Sequence, residues 1–115
     1  LGSGYRAMNK LLARDAGFTA VFCMSDIMAV GAMRALTDAG LRVPQDISVL
    51  GFDGIELGQY AVPRLATVSQ PQQEIADQSV ALLLGQIEKA APPQTRVVST
   101  GLLEGESVAS VTSDI

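Results

Sequence analysis

The sequence predicts an α/β fold built on a mainly parallel sheet. Short, mostly apolar stretches occur at residues 19–24 (TAVFCM) and 47–52 (ISVLGF), a third short strand at 65–69 (LATVS), and longer stretches with helical periodicity alternate with them. Strands that are apolar throughout belong to parallel sheets covered on both faces, and the alternation with helices implies right-handed βα crossovers. The first two runs end at or next to an aspartate, and the third at Gln70-Pro71.

Taken in order, Ser3 is placed to cap a first helix with Tyr5, Met8 and Leu12 on one stripe and Arg6, Lys10 and Arg14 off it, ended by Gly17. Residues 19–24 follow as a central parallel strand, with Phe22 and Cys23 expected in its core. Ser25 or Asp26 caps a second helix that runs to about Ala39 and stops at Gly40. After Asp26 come seven residues, 27–33, with no charge and no hydrogen-bonding side chain, which raises the question of what so apolar a helix is packed against. LRVPQD is a connector, and the second buried strand ends at Asp53-Gly54, where a turn is expected. Gly58 and Pro63 argue for a loop or a single helical turn over 55–64. Residues 72–89 form a helix with Ala76, Val80, Leu83, Leu84 and Ile87 on one face, broken by AAPPQ. Weaker strands are expected at 95–99 and 102–104, and a frayed tail at 110–115.

Composition narrows the function classes. With 115 residues there is room for one domain or a piece of one. Charged residues make up 17% and hydrophobic ones 48%, against roughly 25% charged in an average soluble protein, so the surface is unusually apolar or partly covered by something outside this chain. The net charge is −4 and the eight basic residues are scattered, which is not a nucleic-acid surface. The chain has no histidine, so no Ser-His-Asp or Cys-His relay can be assembled, and no metal site or cofactor is expected. Cys23 has no partner for an internal disulfide, in keeping with a reducing compartment. The charge-free stretches are about half the roughly 20 residues a membrane span needs. The start at Leu1, without Met or an apolar leader, reads as a cut and not as a signal peptide. Gly2 to Gly4 (GSG) lacks the Lys-Ser/Thr and the preceding strand of a phosphate loop.

The segment FCMSDIMAVGAMRALTDAGLRVPQDISVLGFDGIELGQYAVPRLATVSQP resembles the effector-binding domain of the LacI/GalR transcriptional repressors. The corresponding family patterns run F-x-x-N/S-D-x-M-A-x-G, G-x-x-V-P-x-D-I/V-S-x-x-G-F/Y-D and P-x-L-T-T-V/I-x-Q, with Ala66 here in place of the first Thr. The likeness extends to Glu106-Ser107-Val108, similar to the family's closing E-S/T-V. It implies a Rossmann-like parallel-sheet lobe of the periplasmic-binding-protein-like type I fold, present as a fragment: residues 1–109 as the C-terminal portion of the effector domain, with the 72–89 helix belonging to the other lobe. It also implies a cytoplasmic, sugar-responsive repressor that is not an enzyme. Its partners would be a sugar or sugar-phosphate effector, a second copy in a homodimer, and operator DNA reached only through an N-terminal helix-turn-helix outside this chain. The alternative is a fragment of a periplasmic sugar-binding protein serving an ABC transporter, and an enzyme on a related fold has little in its favour.

In parallel α/β sheets ligands sit beyond the carboxyl ends of the strands, and a sugar calls for carboxylates and amides that chelate neighbouring hydroxyls. The resemblance therefore points to Asp53 as the first ligand contact, against a plain turn-capping role. Ser25 stands where many members carry Asn, so its shorter side chain is equally suited to capping. Gln70 lies where the family chain crosses between lobes. Asp26 completes the ligand set, although a helix cap or a partner for backbone N–H groups suits it better. For the apolar helix, the resemblance implies a dimer face made by Ile27, Met28, Val30, Gly31 and Met33, with Tyr60 nearby, and the alternative is a helix buried wholly within its own lobe. Apolar surface left on the 72–89 helix and along a sheet edge is expected to make the isolated chain self-associate.

Overall fold

The computed structural model describes residues 1–111. The chain divides into two compact units, one made of Leu1–Ser69 with the segment from Leu102 onward, the other of Gln70–Gly101. The elements are α1 (Gly2–Ala13), β1 (Ala20–Phe22), α2 (Asp26–Asp38), β2 (Ser48–Asp53), α3 (Glu56–Gln59), β3 (Ala66–Ser69), α4 (Gln72–Lys89) and β4 (Gly101–Leu103). The strands form one sheet in the order β1-β2-β3-β4. β1 pairs with β2 and β2 with β3, both parallel, with Phe22 opposite Leu50 and Asp53 opposite Ser69. The predicted α/β architecture on a mainly parallel sheet is the one observed.

In the larger unit, the apolar helix α2 has the sheet on one side and α1 on the other. Leu36, Ala35, Ala29 and Ala32 are buried with Met8 of α1 and with Val49 of β2. The two helices approach backbone to backbone because glycines face each other's partner. A Cβ on Gly4 would lie 2.1 Å from the Met28 carbonyl oxygen, and one on Gly31 would lie 2.1 Å from that of Leu1. Tyr5 closes the crossing by donating from its hydroxyl to Asp38 at 2.8 Å.

Ser107 is the least expected core residue. It is fully buried, donates from Oγ to the Val49 carbonyl at 2.6 Å, and accepts from the Ala66 amide at 2.8 Å, so one hydroxyl joins β2 to β3. Its own carbonyl accepts from the Val49 amide at 2.8 Å. Just before it, Gly105 lies so close to residues 64–66 that a Cβ would fall 2.6 Å from the Ala66 nitrogen.

Several expectations are corrected. β1 is an edge strand and not a central one, and Phe22 is 62% exposed while Cys23 is buried. Side chains alternate along a strand, so Val21 and Cys23 meet the helices while Phe22 looks to the uncovered face. Ser3 does not cap α1, which starts before it at Gly2 with Leu1 as N-cap, and α1 ends at Ala13, ahead of Gly17. Residues 95–99 are not a strand: the unit that contains them offers a helix but no strand to pair with. The expected tail at 110–115 lies mostly outside the described residues. In the smaller unit, α4 ends with Ala90 in the left-handed region (φ 49°) and the Ala91 amide donating to the Gly85 carbonyl at 3.2 Å. No residue of α4 is buried.

Candidate functional site

The candidate site is the carboxyl edge of β2 and β3, where α2 begins. Asp53 is the last residue of β2 and has φ 121°, a backbone conformation that residues with a side chain rarely adopt. Gly54 follows at φ 79°, with no room for a side chain because a Cβ there would lie 2.9 Å from the Ser69 Cβ. The chain thus leaves the strand by a sharp turn, and Asp53, half-buried, stands at the rim.

Beneath this rim lies Asp26, fully buried. Its Oδ2 accepts from the Gly54 amide at 2.9 Å and the Ile55 amide at 2.8 Å, and its Oδ1 accepts from the Thr67 hydroxyl at 2.6 Å. A carboxylate is an acceptor only, and three donors from two strand ends meet it here. Asp26 therefore sits in the interior of the fold as a partner of backbone N–H groups, the role that suited it better from the sequence, with both oxygens engaged and the residue fully buried. Room for it comes from Gly51, where a Cβ would lie 2.3 Å from Asp26 Oδ1.

Ser25 is the N-cap of α2, its Oγ accepting from the Met28 amide at 3.2 Å. That is the capping role open to it from the sequence, and it leaves the residue half-buried at the same edge. Gln70 comes directly after the last residue of β3, and its carbonyl accepts from the Gln72 amide at 2.9 Å. Of the residues expected at a dimer face, Ile27 and Tyr60 are exposed, Tyr60 at 78%, and Met28 and Val30 are half-buried. Gly31 and Met33 offer no surface, because the α1 backbone closes over Gly31 and Met33 joins the core. The apolar character of 27–33 is thus largely spent inside the unit.

Other chemistry is sparse. Among the described residues no group of three or more His, Cys, Asp or Glu is placed to hold a metal ion. Burial pushes the Cys23 thiol above its ordinary pKa, which disfavours the nucleophilic thiolate. No helix among the described residues is long and apolar enough to cross a membrane. A groove of about 750 Å³ opens over Phe22, Leu50, Ala66, Leu102 and Val108. Its lining is mainly apolar side chains, unlike the paired polar groups a sugar requires.

The mainly parallel sheet with helices packed against it and a polar carboxyl edge define an α/β domain of the binding-protein-like class. The chain belongs to the periplasmic binding protein-like domain family, whose model matches residues 1–108. Over 108 residues it is 46% identical to the HTH-type transcriptional repressor PurR of Yersinia enterocolitica, a match that takes in 93% of this chain and 32% of the relative. Among solved structures it is similar to the transcriptional regulator CelR in complex with cellobiose, with a TM-score of 0.85, 35% identity, and 91% and 32% of the two chains covered. It is equally similar to the Lac repressor dimer bound to operator and the anti-inducer ONPF, with a TM-score of 0.86, 32% identity, and 94% and 38% covered. The chain spans about a third of the length of the curated relatives it matches. It corresponds to part of the effector-binding domain of a LacI/GalR-type regulator. That its relatives are repressors and regulators leaves the transporter alternative less supported.

Proposed function

We propose that this chain supplies one wall of the effector cleft, and part of the dimer contact, in a cytoplasmic LacI-type repressor that binds a sugar or sugar phosphate and performs no catalysis. The observation that carries the reading is Asp53, held at φ 121° at the carboxyl end of β2, where α/β sheets receive their ligands. Its carboxylate is suited to accept from neighbouring sugar hydroxyls. Gln70 would add an amide where the chain leaves β3, and α4 would belong to the opposite lobe. Ser25 would act mainly through its cap, with its hydroxyl as a minor contact. Exposed Ile27 and Tyr60, with Met28 and Val30, would contribute to the contact with a second copy. Operator DNA would be bound by a separate helix-turn-helix domain and released or engaged as the effector shifts the balance between two arrangements of the lobes.

The cellobiose complex of CelR supports a sugar as the first class to test. Isothermal titration of a chain of the relatives' length with cellobiose, lactose and glucose 6-phosphate should reveal binding, with Asp53→Ala weakening it by about tenfold or more, the loss of one good charged hydrogen bond. Unchanged affinity in Asp53→Ala would remove Asp53 from the site.

A further inference from the structure

We infer that Asp26, buried and out of reach of any ligand, is the positioning residue that sets the geometry of Asp53, with Thr67 as its partner. This rests on the reading that Asp53 contacts the effector. The two amides that follow Asp53 in the chain, those of Gly54 and Ile55, both donate to Asp26 Oδ2, at 2.9 and 2.8 Å. A residue at φ 121° relaxes toward the extended region unless its neighbours hold it. Here the hold comes from the residue that opens α2, so the first turn of that helix and the turn after β2 are fixed to each other. Thr67 Oγ1, donating to Oδ1 at 2.6 Å, adds the neighbouring strand and fixes the carboxylate's rotation. Gly51 leaves the space that the carboxylate fills, since a Cβ there would lie 2.3 Å from Oδ1. Three elements thus converge on one side chain, and the residue they jointly constrain is the one at the rim.

The arrangement makes a prediction that a generally stabilising residue would not. Asp26→Ala removes both acceptor oxygens, so the Gly54 and Ile55 amides and the Thr67 hydroxyl lose their common partner, whereas Asp26→Asn could keep the amide pair on its oxygen and donate from its NH2 to Thr67 Oγ1. A crystal structure of the Asp26→Ala variant of the relatives'-length protein is expected to show φ of Asp53 moved out of the positive region. Titration with cellobiose, lactose and glucose 6-phosphate is expected to show affinity falling about as far as in Asp53→Ala, with the double variant little worse than either single one. Where Asp26→Ala fails to fold, Thr67→Val removes one donor without changing shape and should shift Asp53 and weaken binding less, while Thr67→Ser restores both. An unchanged Asp53 φ in Asp26→Ala, or in Thr67→Val where that stands in, overturns the inference, as does full additivity of Asp26→Ala and Asp53→Ala. A displaced Asp53 together with unaltered binding in Asp53→Ala supports the clamp and overturns the reading of Asp53 as the ligand contact, so the two failures are told apart.

Discussion

Replacing Gly4 by alanine should destabilise the protein, although in an unconstrained helix the same change stabilises. The Cβ would sit 2.1 Å from the Met28 carbonyl oxygen and 2.7 Å from the Met28 Cα, both backbone atoms of α2 that no rotamer change can move. Ordinary contact begins near 3.4 Å, so α1 must retreat by about 1.3 Å. A retreat of that size loosens the contacts of Met8 with Ala32 and Leu36, since a gap of 0.5–1 Å already forfeits about a quarter to a half of the dispersion attraction. Overpacking of this kind costs about 1–3 kcal/mol, and the better helix propensity of alanine returns up to about 1 kcal/mol. The expected net loss is about 1–2 kcal/mol, read as a lower urea midpoint at an unchanged m-value. Gly2→Ala is the internal control, because its Cβ meets only the mobile end of Arg6, at 2.9 Å, and the substitution should be neutral or slightly favourable. A Gly4→Ala protein as stable as the parent would refute the close helix crossing, and with it the account of why α2 is so apolar.

Ser107→Ala strands the Ala66 amide and the Val49 carbonyl at a fully buried position, so a loss of about 2–4 kcal/mol is expected in the same urea assay; a change below about 0.5 kcal/mol would mean that the hydroxyl does not join the strands. The exposed Arg42–Asp46 pair gives a small pH-dependent contribution. The hydrogen bond from the Arg42 side chain, followed by that from its backbone amide, lowers the Asp46 pKa. A depressed carboxylate contributes stability above its unfolded pKa, about 3.9, and loses it as pH falls through the folded value. The stability difference between the parent and Asp46→Asn should therefore be present at neutral pH and be lost as pH falls through the folded Asp46 pKa, below the ordinary carboxylate range; a difference that stays constant into acid would rule the linkage out.

The architecture was legible because its signals are local. The apolar runs marked β1, β2 and β3, Ser25 and Gly40 bracketed α2, and AAPPQ ended α4. What escaped was whatever depends on which face a neighbour covers. The run 19–24 is apolar throughout, and nothing in it distinguishes a strand covered on both faces from an edge strand whose Phe22 is left 62% exposed. The low charge content did register that apolar surface, without locating it. The same limit applies to α2: its apolar stretch left open what covers it, and α1 covers much of it where Gly4 meets Met28 and Gly31 meets Leu1, residues 24 and 30 positions apart in the chain.

At the site, the sequence already set Asp53 first and favoured an internal role for Asp26, and the three-dimensional hydrogen bonding identifies which donors Asp26 meets. Asp26 meets donors 28, 29 and 41 positions away, which no sequence spacing announces. Ser107 was visible only as part of a resemblance, and its function as a bridge between β2 and β3 became readable once the strands were side by side. A serine followed by a valine near the end of a chain carries no local sign of burial, so the signal was the pattern without its reason.

The central claim is that an effector bound at the carboxyl edge of this sheet changes operator affinity in the intact regulator. The most direct test is fluorescence anisotropy of the relatives'-length protein on DNA from its own promoter, with and without a saturating sugar found by titration. The account predicts a shift in operator affinity of about 5–150-fold that disappears in Asp53→Ala. An equal shift in that variant, or none in the parent at saturation, would contradict it.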